Sequence, residues 1–287
     1  MTTLIPEGVL KIYKDLEKNN FQVYFVGGCV RNTLLRRKIK DWDLTTNATP
    51  KDLTKIFKNS FYDNNFGTVG IPLKIDNKDS VIEITTFRTE EGFKDKRHPE
   101  KVSWGKTIEE DLARRDFTIN AIALKLTDKP NLYELIDPFN GEKDLAKKTV
   151  KAVGDANLRF KEDALRLIRA IRIATELGFK IEKKTFQKIK DDALLIEHVS
   201  KERIKTELLR ILSSKNAYDG IMLLKESQLL KHILPELLEG VGISQVRPGR
   251  HHTTDVFTHN VMSLKFCPSD KAIVKLATLL HDIGKPK

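Results

Sequence analysis

The stretch QVYFVGGCVRNTLLRRKIKDWDLTTNA, residues 22–48, decides the fold of the first half of the chain. Residues 22–26 are a short apolar run rich in β-formers and predict a strand. Gly27 and Gly28 follow. Without Cβ atoms the backbone can turn tightly there and point its N–H groups outward, either as a plain turn or as a phosphate-holding one. The pattern then becomes helical through Leu35. Residues 31–40 carry five basic side chains and no acidic one, which suits a solvated helix face or an anion-binding one. Directly behind stands Asp41-Trp42-Asp43. In an extended segment residues i and i+2 share a face roughly 6.7 Å apart, so both carboxylates can converge on a cation while Trp42 packs on the opposite side. Two carboxylates that close repel unless positive charge neutralises them, and Mg²⁺ bridging phosphates would do so.

Outward from this stretch, residues 6–19 read as a helix closed by Asn19-Asn20, and 70–75 and 81–87 as strands. In the latter, Glu83 stands among Val81, Ile82 and Ile84. It is either an edge-strand acid facing water or a third metal carboxylate brought beside Asp41 and Asp43 by sheet pairing. Residues 89–104 are charged, aperiodic and punctuated by Gly and Pro, and read as a mobile surface loop. A short helix over 108–114 leads into an apolar segment over 117–124. Arg114, Arg115, Asp116 and Asn120 crowd that junction, as sugar and phosphate recognition would require, or as an Arg–Asp pair at a helix end would. Residues 131–143 read as a strand and turn.

Beyond residue 155 the period is that of helices. A helix over 161–178 is expected, with Gly178 closing it. On it Glu162 and Arg166 are at i,i+4 and Asp163 and Arg166 at i,i+3, either as ordinary salt bridges or as a recognition face. Further helices cover 183–199, 200–213 and 217–240. Of the seven His, four (His251, His252, His259 and His281) lie in the last 37 residues, near Asp255 and Asp282, a credible metal-ligand set.

At 287 residues, with 40% hydrophobic and 32% charged side chains, the chain is long enough for two domains with real cores, which excludes disorder and a collagen-like chain. Fifty-one Lys and Arg against forty Asp and Glu leave +11, favouring a polyanionic or phosphorylated partner. Cys29 and Cys267 form no framework spacing and read as small buried residues of a reducing compartment. No run reaches the roughly 18 apolar residues of a membrane span, and the N-terminus lacks a signal pattern, so a cytoplasmic location is expected.

The blocks GGCVRN, DWDLTTNA, EITTFRTE, RRDFTINAIA and RFKEDALRLIRA, in this order, resemble the class II tRNA nucleotidyltransferases, which are the CCA-adding enzymes and their bacterial poly(A) polymerase relatives. HHTTDVFTH and HDIGK resemble part of an HD domain. The resemblance covers most of residues 20–285. It implies an α+β chain with a polymerase-beta-like nucleotidyltransferase head and a small mixed sheet (1–150), an all-helical neck and body (151–240) and a truncated HD-type segment (241–287). It implies Asp41, Asp43 and Glu83 as catalytic carboxylates, the first two holding two Mg²⁺. Gly27, Gly28 and Arg31 would cradle the triphosphate, with Asn32 standing where the family has an acid. Arg114, Arg115, Asp116 and Asn120 would contact the nucleotide. Arg159, Glu162, Asp163, Arg166 and Arg169 would bind it through the EDxxR region, where side chains stand in for a template. His259, His281 and Asp282 would be an incomplete HD metal site, and the chain a piece of a longer one. The implied activity is addition of CCA from CTP and ATP to the tRNA 3′ end, with CC, A or poly(A) addition as alternatives. An HD-type phosphohydrolase or a noncatalytic RNA-binding protein are the remaining readings.

Overall fold

Val23, Tyr24, Phe25 and Val26 form strand β1 (Val23–Val26) with all four side chains buried, because both faces of the sheet are covered there. On one side Tyr13 of α1 (Glu7–Lys18) stacks on Phe25 at 5.2 Å between ring centroids. α1 forms because Val9, Ile12, Tyr13 and Leu16 recur at helical spacing and are all buried. On the other side Tyr24 and Val26 join Phe87, Ile108, Leu112, Ala121, Ala123 and Val153 in one apolar cluster. Burying Ile108 or Leu112 contributes about 1.5–3 kcal/mol each, which fixes their helix against β1.

The structure is a computed structural model describing residues 5–62, 67–75, 77–93, 99–129, 132–244 and 254–286. It divides into two units, one of residues 1–92, 99–147 and 151–154, the other of 93–98, 148–150 and 155–287. In the first half of the chain the order continues α2 (Gly28–Leu34), β2 (Asp43–Thr46), α3 (Pro50–Ile56), β3 (Phe61–Tyr62), β4 (Thr68–Ile75), β5 (Lys78–Thr86), β6 (Arg88–Phe93), β7 (Pro99–Trp104), α4 (Ile108–Ala113), a 3-10 turn (Thr118–Asn120), β8 (Ala123–Leu126), β9 (Tyr133–Ile136) and α5 (Gly141–Ala146). Seven strands make one mixed sheet ordered β3-β4-β5-β2-β1-β8-β9. β2 and β5 run parallel and the other neighbours antiparallel.

Two expectations are corrected here. β5 lies between β4 and β2, so Glu83 is not on an edge strand; it is exposed because Ile82 and Ile84 take the inward face. The expected loop over 89–104 instead contains β6 and β7, paired as a separate two-stranded sheet. Backbone ladders need no apolar side chains, so a charged composition concealed them. Residues 94–98 of that segment lie outside the described residues.

α5 starts at a point of close approach. A Cβ on Gly141 would overlap the Thr118 carbonyl oxygen and sit 2.8 Å from Ile122 Cγ1. Gly141→Ala is therefore expected to destabilise the protein by about 1–3 kcal/mol through overpacking. A thermal melt indistinguishable from the parent would contradict this packing.

The second half contributes β10 (Thr149–Val150), α6 (Ala156–Glu162), α7 (Leu165–Leu177), β11 (Lys180–Ile181), α8 (Lys183–Asp191), a 3-10 segment (Ala193–His198), α9 (Lys201–Ser213), α10 (Ala217–Glu226), α11 (Leu229–Ile233), α12 (Pro235–Leu238), α13 (Val256–Phe266) and α14 (Ala272–Leu280). Apart from β10 and β11, paired in parallel, its described elements are helical. α7 is the central helix, with ten buried residues, and it ends at Gly178. The single helix expected over 161–178 is two. Asp163 breaks it at φ −140°, ψ 104°, and its Oδ1 accepts the Leu165 N–H, a local bond that competes with helix continuation. Arg172 of α7 pairs with Glu207 of α9, both nearly buried. Cys29 is buried, but Cys267 is only half-buried because it caps the end of α13. Among the described residues no helix is long and apolar enough to cross a membrane.

Candidate active site

The parallel pairing of β2 and β5 sets Asp43 directly opposite Glu83 and Thr45 opposite Thr85. Neighbouring strands are about 4.8 Å apart, so the two carboxylates share one face of the sheet. Asp41 lies just before β2 and is exposed. Trp42 turns the other way, 6% exposed, edge-on to Phe25 at 5.4 Å. Gly27 ends β1 at φ 72°, a conformation that favours glycine, and the place of a Cβ there lies 3.5 Å from Asp43 Oδ2 and 3.4 Å from Arg115 Nη1. The glycine turn, Asp43 and Arg115 thus border one spot. Behind it the Cys29 thiol donates to the Val26 carbonyl; burial, with the nearby Asp43 charge, pushes its pKa up to about 12, so it stays neutral.

Arg31 is held at both ends. Its Nη1 donates to Asn120 Oδ1 at 2.6 Å, and its Nε and Nη2 donate to Asn32 Oδ1 at 3.2 and 3.1 Å. Asn120 in turn donates to Asp116 Oδ1 at 3.3 Å, which also accepts the Phe117 N–H at 2.8 Å. Arg114 and Arg115 both donate to Asp111, at 2.7 and 2.9 Å, and Asp111 has no exposed side-chain surface. Burial works to raise the Asp111 carboxyl, but the two guanidiniums override it and leave the pKa below the usual aspartate range. Its contribution to stability is therefore full above the ordinary aspartate pKa and lost as pH falls through the depressed folded value.

In the other unit, Glu162 accepts from Arg159 Nη2 at 2.7 Å and from Arg166 Nη1 at 2.6 Å. The expected stacking of Glu162, Asp163 and Arg166 on one helical face does not occur, because α6 ends before Asp163. Arg203 of α9 reaches the Asp163 carboxylate at 3.1 Å. Arg169 is half-buried on α7, one turn beyond Arg166. In the tail, His259 Nε2 and His281 Nε2 are 3.1 Å apart and each lies 3.5 Å from Asp282 Oδ2. Among the described residues this is the one group of three such donors with ligand atoms all within 4.8 Å of one another. His251 and His252 lie outside the described residues.

Residues 23–151 match the Poly A polymerase head domain family, and residues 178–240 match the family described as the probable RNA and SrmB-binding site of polymerase A. The chain is 43% identical over 211 residues to the CCA-adding enzyme of Limosilactobacillus reuteri (strain DSM 20016), an alignment covering 73% of this chain and 50% of that protein. It is 39% identical to the CCA-adding enzyme of Enterococcus faecalis (strain ATCC 700802 / V583), over 85% of this chain and 59% of that one. The crystal structure of the Bacillus stearothermophilus CCA-adding enzyme in complex with CTP superposes with a TM-score of 0.69 at 30% identity, over 97% of this chain and 70% of that one. The chain belongs to the CCA-adding enzyme and poly(A) polymerase family. It spans about half the length of the first of these curated relatives. Neither family match extends over the His259, His281 and Asp282 cluster.

The motifs leave two supporting residues, Asp111 and Arg203, unmarked. Asp111 precedes Arg114 and Arg115 by three and four residues, a helix spacing that would have flagged it. Asn32, where the family has an acid, still accepts the Arg31 guanidinium through its amide oxygen. Arg203 is 40 residues from Asp163 and carries no local signal.

Proposed function

We propose that this chain adds C, C and A, without a nucleic acid template, to the 3′ end of tRNA from CTP and ATP. The observation carrying the proposal is the β2–β5 register, which sets Glu83 against Asp43 beside the glycine turn and Arg115, in a chain 43% identical to a CCA-adding enzyme. The donor set of Asp41, Asp43 and Glu83 is all carboxylate oxygen, which fits Mg²⁺ rather than a softer metal. Held by Asp41 and Asp43 with Glu83 alongside, Mg²⁺ would supply positive charge for the triphosphate and would acidify the primer 3′-hydroxyl.

The chain's own side chains do the rest. Gly27 and Gly28 bring backbone close to the phosphates. Arg31, fixed by Asn32 and Asn120, and Arg115, fixed by Asp111, present guanidiniums to them. Asp116, oriented by the Phe117 N–H, accepts from the ribose. Asp163 accepts from the exocyclic amine shared by cytosine and adenine, and Arg166, steadied by Glu162, donates to the neighbouring ring acceptor. Uracil and guanine place an oxygen where that amine belongs, which leaves polar groups unpaired. Arg159 steadies Glu162 from its other side, and Arg169 adds positive charge one turn from Arg166. The net charge of +11 suits a tRNA backbone.

The experiment uses three primers, tRNA ending before CCA, after C and after CC, with each nucleotide offered singly. CTP should extend the first two and ATP the third. Extension by one nucleotide type alone would replace CCA addition with CC, A or poly(A) addition.

A further inference from the structure

We propose that Asp111, which Arg114 shares, is a positioning residue that orients the Arg115 guanidinium toward an incoming nucleoside triphosphate; this rests on the reading of the first unit as a nucleotide site. Asp111 is fully buried and uses both oxygens on arginine. Its Oδ1 accepts from Arg114 Nε at 2.9 Å and Nη2 at 2.7 Å, and its Oδ2 accepts from Arg115 Nη2 at 2.9 Å. The helix carrying it cannot drift, because Ile108 and Leu112 sit in the same apolar cluster as Val26, the residue before Gly27. The carboxylate is therefore a fixed post beside the glycine turn.

Arg115 shows what the post does. With Nη2 tied to Asp111, its Nη1 comes to the Gly27 turn, 3.4 Å from where a Cβ would stand, a position that Asp43 Oδ2 also borders at 3.5 Å. Its Nε is buried and has no hydrogen-bond partner among the described residues. A guanidinium free to choose would not forgo that bond, so the orientation is imposed on it by Asp111. Two adjacent arginines also repel, and one buried carboxylate between them holds both in single rotamers while leaving a net positive charge. Prepaying that ordering before the ligand arrives strengthens binding rather than the chemical step.

The test is a double-mutant cycle on the full chain, with CTP binding and primer extension measured on the same preparations. Asp111→Asn keeps the volume but loses the charge and one acceptor. It should raise KM for CTP about tenfold while kcat changes less than about threefold. Arg115→Ala should raise KM as well, and adding Asp111→Asn to it should cost clearly less than the same change does in the parent, since only the Arg114 pairing is then left to lose. An unchanged KM in Asp111→Asn, or losses that multiply in the double variant, would overturn the assignment and leave Asp111 as a packing ion pair. If Asp111→Asn does not fold, Asp111→Glu, which keeps the charge but displaces it by one methylene, carries the same cycle. Failure of the parent chain itself to bind CTP contradicts the nucleotide reading, and is seen before any variant is compared.

Discussion

Asp43→Ala is expected to lower kcat/KM for CTP addition by about a thousandfold or more, with Asp41→Ala close behind. Asp43 stands at the start of β2, opposite Glu83 and beside the glycine turn, so its carboxylate is placed where triphosphate charge would gather. Neither residue supports the core. Asp41 is exposed and Asp43 half-buried, while Trp42 and Leu44 between and after them do the packing. The melting temperature of either variant should therefore stay close to the parent's, since surface changes outside such packing move stability by about 0.5 kcal/mol or less. Single-turnover extension with saturating primer, alongside a thermal melt, reads both quantities. Retained activity in Asp43→Ala, or lost activity with a collapsed melt, would contradict a metal-holding role.

The second large effect concerns the choice of base. Arg166→Ala and Asp163→Ala should shift the ratio of kcat/KM for CTP over UTP by about a hundredfold, because a site built around polar groups rejects a base that leaves them unpaired. The two variants differ in a useful way. Removing Arg166 leaves Glu162 still held by Arg159, whereas removing Asp163 releases Arg203 and the Leu165 N–H that starts α7. Asp163→Ala should thus also lower stability, by about 1 kcal/mol for a lost helix-starting bond, and Arg166→Ala less. Steady-state kinetics with all four triphosphates on one primer separate selection from binding. A uniform fall for all four nucleotides would return these residues to ordinary salt bridging.

Much of this was legible where the signal is local. The turn at Gly27 follows from its glycine pair and the inward Trp42 from alternation about Asp43, and the structure repeats both, with Asp41 lying just before β2. Glu83 was legible only as a choice, since no spacing in the chain sets which strand lies beside β2; the parallel register decides it. The break at Asp163 was missed because helical periodicity continues across it, while one side-chain bond to the Leu165 N–H ends one helix and begins the next. β6 and β7 were missed for the opposite reason. Their residues carry no apolar alternation, yet their backbones pair. The burial of Asp111 depends on α4 being pressed onto β1 by Ile108 and Leu112, a contact between segments more than 80 residues apart.

The central claim is addition of a defined three-nucleotide end without a template, and the most direct measurement is sequencing of the 3′ ends formed when tRNA lacking CCA meets the chain with Mg²⁺ and all four triphosphates together. The account predicts products that end in CCA and stop there, with UMP and GMP incorporated at about a hundredth of that frequency or less. Unextended tRNA, mixed ends containing U or G, or long runs of A would contradict it.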